Sequence, residues 1–195
     1  LTLACTSCGE DERVSIFSRP TVERVEGKRK DWNDVSSFVC YYGAFDIEFQ
    51  SLFDVIIMHS STLYSDPDAK EKVQQLKDAG CYIVSYITIG EDDTLEVADG
   101  LGEGGYASYY VYENGVPKMN TNWNSYFVDA GNPVWQAKII NETAKILSYG
   151  VDGIFMDTLD TVDIDNSTLP GMADLVKKLD ETFPEAKLVA NRGFT

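Results

Sequence analysis

The chain has 195 residues, of which 44% are hydrophobic and 12% aromatic, enough to bury one sizeable core in a single domain. Its 32 acidic residues against 16 basic ones give a net charge of −16, which repels nucleic acid and anionic membranes and excludes both as expected partners. No apolar run approaches the ~18 residues that a membrane-spanning helix needs.

Residues 1–34 are polar, charged and weakly patterned, and read as a tether with an irregular lead-in. Leu1-Thr2-Leu3-Ala4-Cys5 resembles the end of an apolar signal segment, and Ser7-Cys8-Gly9-Glu10-Asp11-Glu12 follows as an acidic linker. An apolar stretch, a cysteine and an acidic linker together resemble a bacterial lipoprotein signal. The expectation is a secreted or cell-surface protein, with membrane contact only through lipid on Cys5 or Cys8.

A domain covering 35–195 is expected next. Five short apolar runs recur along it: Ser37 to Tyr42, Phe53 to Met58, Cys81 to Ile87, Val151 to Met156 and Ala186 to Ala190. Runs that are nearly continuous rather than alternating suit parallel strands buried on both faces. Helices are predicted between them. One spans Asp68 to Ala79 with Val73 and Leu76 on one face and Gly80 as its stop. A second runs from Pro133 to Tyr149 and ends at Gly150. The third covers Leu169 to Phe183 and is followed by Pro184. Alternating strand and helix means parallel βαβ units. The expected fold class is therefore α/β, a (β/α)8 TIM barrel cut short after about five βα units, since the full barrel usually takes about 250 residues. No Gly-rich phosphate loop follows the first strand, which argues against a dinucleotide-binding fold. Cys40 and Cys81 fall within apolar runs and are expected as buried free thiols. With a single histidine and no Cys/His spacing, no metal site or cofactor is expected. Residues 91–132, Gly-rich and crowded with tyrosines, read as one long functional loop leaving the third strand's C-terminal end.

The chemistry-bearing residues gather just past the strand ends. The first tip carries Tyr42 and leads to Asp46, the second ends in His59, and the third holds Tyr86 and then Glu91. The fourth ends in Asp157, with Asp160 close behind, and the fifth in Asn191-Arg192. In a barrel these tips converge on one pocket. Asp157 stands out, because the apolar run Gly153-Ile154-Phe155-Met156 delivers a carboxylate straight to that pocket. Such a group can act as nucleophile or base towards a sugar acetal, whose cleavage needs two carboxyls; a strand-end aspartate can equally cap the next segment. Glu91 reads as a pocket carboxylate, Asp160 as a binder of hydroxyls or an amine, and His59 as a substrate hydrogen-bonder or a structural residue. Arg192 reads as support that holds Asp157 or Glu91 ionised. Trp123 is a candidate stacking platform for a sugar, whereas Trp135 reads as core. A barrel lyase or aldolase is disfavoured, since no lysine sits at a strand tip.

Three segments carry a resemblance: Tyr86-Ile87-Thr88-Ile89-Gly90-Glu91; Asn122-Trp123 with Val128-Asp129-Ala130-Gly131-Asn132-Pro133-Val134-Trp135; and Gly150 through Asp160. They resemble glycoside hydrolase family 114 and its relatives, the endo-α-1,4-polygalactosaminidase-like and spherulin-4-like proteins, from about residue 37 onward. The resemblance implies metal-free cleavage of α-glycosidic bonds in a galactosamine-containing polysaccharide. It implies that Asp157 is one of two catalytic carboxylates and that its partner lies on a later strand, beyond residue 195. An acidic surface fits a cationic polymer. The alternative expectation is a surface lipoprotein that binds glycans without cleaving them.

Overall fold

The computed structural model describes residues 29–164 and 166–191. The proposed lipid-bearing cysteines, Cys5 and Cys8, and the supporting residue Arg192 lie outside the described residues.

The centre is a five-stranded sheet in the order β1 (Phe38–Cys40), β2 (Val55–His59), β3 (Tyr82–Thr88), β9 (Gly153–Asp157) and β10 (Lys187–Ala190). Every pairing in it is parallel. All five apolar runs thus became strands, lying side by side in chain order as consecutive units of a barrel do. Between β3 and β9 the chain makes an excursion holding β4 (Glu91–Asp92), β5 (Tyr112–Glu113), β6 (Val116–Pro117), β7 (Met119–Asn120) and β8 (Ser125–Phe127). The helices are α1 (Ile47–Gln50), α2 (Ser60–Ser65), α3 (Ala69–Asp78), α4 (Pro133–Leu147) and α5 (Leu169–Thr182).

Strand periodicity sorts the side chains into two cores. Ile56, Met58, Ile83, Ile87, Ile154 and Met156 turn to the helix side, where they meet Val73 and Leu76 of α3, Trp135 and Ile139 of α4, and Leu175 and Leu179 of α5. Residues of the opposite parity, Val55, Ile57 and Val84, form a second cluster with Tyr82, Phe155 and Val189. The helices start and stop where their residues dictate. Asn132 caps α4, its side chain accepting from the Val134 amide at 2.9 Å, and Pro133 follows at the first turn. Gly80 and Gly150, at φ of 89° and 88°, let the chain leave α3 and α4 in the left-handed conformation. Strand β9 approaches β10 so closely that a Cβ on Gly153 would lie 1.9 Å from the Lys187 carbonyl oxygen.

Residues 29–35, part of the expected lead-in, pack beneath the N-terminal ends of the strands. Trp32 sits edge-on to Tyr82 at 4.9 Å between ring centroids, and the Arg29 guanidinium lies over the Tyr82 ring, 3.7 Å from its centroid. Arg29 also donates to the Cys81 carbonyl at 2.8 Å and pairs with Asp152.

Two sequence expectations need correction. Cys40 is exposed, while Cys81 is buried. Strand β1 is an edge strand, and of its three residues only Val39 turns towards the helix-side core. The 91–132 segment, expected as one long loop, is largely folded. Its strands β4, β8 and β7 form an antiparallel sheet, and β5 and β6 form a hairpin across Asn114-Gly115. Both turn residues have positive φ, 53° and 79°, the conformation an Asn-Gly hairpin turn favours.

Candidate active site

The C-terminal ends of the five strands bring together Tyr42, His59, Tyr86, Asp157 and Asn191. In the sheet register His59 is the neighbour of Tyr86, and Thr88 that of Asp157. Tyr86 donates its hydroxyl to Asp157 Oδ2 at 2.8 Å, and Asn191 donates its amide to Oδ1 at 2.6 Å. Both oxygens of Asp157 are therefore oriented by neutral donors. Burial, and then the bond to Asp157, push the Tyr86 hydroxyl far above its ordinary pKa. It stays protonated at any physiological pH and so remains a donor.

The aromatic residues form a continuous wall. Tyr86 stacks on His59 at 5.5 Å, and Tyr42 meets both rings edge-on at 5.8 and 5.9 Å. Tyr42 is half exposed. The Ser61 amide donates to His59 Nδ1 at 3.1 Å. Nδ1 is thereby the acceptor of the neutral ring, which leaves the proton, and a donor, on Nε2.

Asp157 is held from behind by an unusual turn. Thr158, next in sequence, is a β-branched residue at φ 65°, ψ 22°, a conformation costing on the order of 1–3 kcal/mol. Its hydroxyl bonds the Asp157 carbonyl at 2.6 Å and accepts from the Gly90 amide at 2.8 Å. Gly90 must be glycine for the contact to exist, since a Cβ there would lie 2.2 Å from the Thr158 carbonyl oxygen. The strand β3 exit and the strand β9 exit are thus clamped together behind the carboxylate. Sequence reasoning gave Thr158 no role, for a β-branched residue carries no signal of positive φ.

The remaining candidates sit elsewhere. Glu91 is buried in the excursion, where Asn120 donates to it at 2.9 Å and Ser125 also donates. Its neighbour Asp92 accepts from Tyr109 at 2.8 Å, Tyr110 at 3.1 Å and Lys138 at 3.0 Å. Burial pushes the Tyr110 hydroxyl up to about 12, so it too is a permanent donor. These two carboxylates fasten the excursion. Asp46 caps α1 by accepting from the Phe49 amide at 3.0 Å. Trp123 is exposed in the turn between β7 and β8. Asp160 is half buried in the 3-10 turn Leu159–Asp163, three residues past Asp157. Trp135 is core, its indole donating to the Ile89 carbonyl at 2.8 Å. Among the described residues no group of three or more His, Cys, Asp or Glu side chains could hold a metal ion.

Residues 24–189 match the family model of glycoside-hydrolase family GH114. The chain belongs to that family. No curated protein matches it. The glycoside hydrolase domain of PelA from Pseudomonas aeruginosa is similar at 24% identity and a TM-score of 0.64, covering 82% of this chain and 61% of that one. Aspergillus fumigatus Ega3, solved with galactosamine, is similar at 13% identity and a TM-score of 0.53, over 78% of this chain and 57% of that one. An α-galactosidase from Thermus thermophilus, solved with stachyose, is similar at 14% identity and a TM-score of 0.59, over 83% of this chain and 41% of that one. The GH114 chain therefore spans about three fifths of the PelA domain. It shares the barrel fold of these hydrolases, with five consecutive strands in the parallel sheet.

Proposed function

We propose that this GH114 protein hydrolyses α-glycosidic bonds in an extracellular galactosamine-containing polysaccharide, with Asp157 as one of two catalytic carboxylates. The observation that carries the reading is the placement of Asp157 at a barrel strand's C-terminal end, both oxygens oriented by Tyr86 and Asn191. Family membership and a galactosamine-bound structural neighbour support the chemistry and the substrate class.

In this reading the sugar ring lies along the wall of Tyr42, His59 and Tyr86, whose faces suit the apolar side of a pyranose. The His59 Nε2–H donates to a ring hydroxyl. Asp157 faces the anomeric carbon and stabilises the positive charge that grows there as the bond breaks. The partner carboxylate, which protonates the leaving oxygen, comes from the strand following β10 in a complete barrel. A separation of about 5–5.5 Å between the two would give retention, and about 6.5–9.5 Å inversion. Residues 1–12 support a place of action at the cell surface, with lipid on Cys5 or Cys8.

The test is Asp157→Asn in the full-length protein, assayed for release of reducing ends from galactosamine polymers. The expected outcome is a fall of at least roughly 10²–10⁴-fold with the melting temperature kept. Activity within a few-fold of wild type would remove Asp157 from the mechanism. A wild-type protein that binds these polymers but cleaves none would make it a glycan-binding protein instead.

A further inference from the structure

Beside the Asp157 cluster lies a second concavity, of about 520 Å³, open to solvent on the far side of Tyr42. Its volume is in the range of small-molecule sites. One wall is the chain leaving β1, and the other is α2 with its junction to α3. The two are tied by the Thr62 hydroxyl, which donates to the Gly43 carbonyl at 3.0 Å. Ser61 and Ser65, four apart on α2, both line it. So do Asp66, Asp68 and Lys72.

Two features connect this concavity to the active site. Tyr42 belongs to both, its half-exposed ring standing between them. Ser61 lines the concavity, and its hydroxyl lies 2.8 Å from Nδ1 of His59 in the aromatic wall. The lining is one aromatic ring with hydroxyls and carboxylates, a set that matches a sugar's apolar face and its polar rim. Its charge is also biased. Lys72 is engaged by Asp66 at 2.7 Å, and Asp68 makes no side-chain cap bond to α3 although it stands at that helix's start. The balance of charge is one carboxylate in excess, which favours a cationic sugar over an acidic one.

We propose that this concavity is a second sugar subsite, which binds an amino-sugar unit of the same polymer with its ammonium against Asp68. The chain then runs from Asp157 across Tyr42 to the junction of α2 and α3. The assignment rests on the Asp157 reading, and its test separates the two.

The experiment is titration calorimetry of the full-length protein with α-1,4-linked galactosamine oligomers of increasing length, free and N-acetylated. The variants are Ser65→Trp, which fills the concavity from an exposed position, and Asp68→Asn. Wild-type affinity should rise with length as the second unit is added. Ser65→Trp should erase that increment, on the order of tenfold, while retaining binding of the single sugar. Asp68→Asn should weaken free-amine oligomers roughly two- to fivefold and leave N-acetylated ones unchanged. Variants that match wild type on every oligomer, with melting temperatures kept, would overturn the subsite while the Asp157 reading stands. Polymer cleavage that is normal while affinity never rises with length would do the same. A wild-type protein that binds no oligomer of any length would overturn both.

Discussion

The two ends of the parallel sheet use the same residue type in opposite ways. At the N-terminal end Asp152 pairs with Arg29 and with Lys77 at 3.3 Å, and accepts from the Ile83 amide at 2.9 Å. Asp54 pairs with Lys30 at 2.8 Å and accepts from the Ser36 and Ser37 amides at 2.9 and 3.1 Å. At the C-terminal end the partners of Asp157 among the described residues are a phenol and an amide. A cation sets a full opposite charge beside the carboxylate, which a neutral donor does not. A carboxylate held by cations gives up more when it takes a proton or forms a bond, so cation pairing suits a structural acid. Neutral donors fix direction and leave the charge available. The difference separates an end that closes the fold from the end at which the proposed chemistry is placed.

The sharpest way to break that comparison is to remove an acid from the closed end. Asp152→Ala strips Arg29 and Lys77 of their shared partner and leaves the Arg29 side chain, itself largely covered, without a countercharge. The expected cost is about 2–4 kcal/mol of stability, read as a lower denaturant midpoint. Catalytic constants per folded molecule should stay within a few-fold of wild type. A variant as stable as wild type would show that the ion pairs at that end contribute little.

The mirror experiment is Tyr86→Phe. It deletes the donor to Asp157 Oδ2 but keeps the ring stacked on His59. Turnover should fall about tenfold, the equivalent of ~1.4 kcal/mol in the transition state, with KM less affected and stability nearly kept. A variant that loses stability and keeps kcat would make Tyr86 part of the core and blur the distinction between the ends.

The sheet was legible in the sequence because its central strands β2, β3 and β9 are covered on both faces and have to be apolar almost throughout, and the runs of β1 and β10 share that pattern. Helices α3, α4 and α5 were legible through their stripes and glycine stops. Helix α2 was not, since Ser60-Ser61-Thr62-Leu63-Tyr64-Ser65 is short, polar and poor in helix formers; it forms because it leaves β2 directly and packs Leu63 into the core. The excursion strands have two or three residues each, too few for a period to show. Asn114-Gly115 is a hairpin-turn signal there. The site divides the same way. Tyr42, His59, Tyr86, Asp157 and Asn191 were readable because strand ends in a barrel face one cavity. Glu91 follows its strand end by only three residues, yet its side chain is spent on Ser125 and Asn120, partners that arrive from a turn more than twenty-five residues away. Adjacency to a strand end marks a site only when the backbone has not yet left the barrel.

Acid offers the mildest probe of the same contrast. Burial alone would raise the pKa of Asp54, but Lys30 and the Ser36 and Ser37 donors outweigh it and hold the carboxyl well below the usual range. A carboxyl depressed in the folded state contributes stability that is fully present above its unfolded pKa and is lost as pH falls towards the folded value. Stability from this residue should therefore be level at neutral pH and decline below about 4, the ordinary range of an aspartate. By pH 3 the loss should be on the order of 1 kcal/mol. Asp54→Asn should be less stable than wild type at neutral pH, and the gap should narrow as the medium is acidified. A gap that stays constant from pH 7 to 3 would mean that Asp54 keeps its proton affinity on folding, and that the lead-in is held to the sheet by the packing of its Trp32 and Val35 rather than by charge.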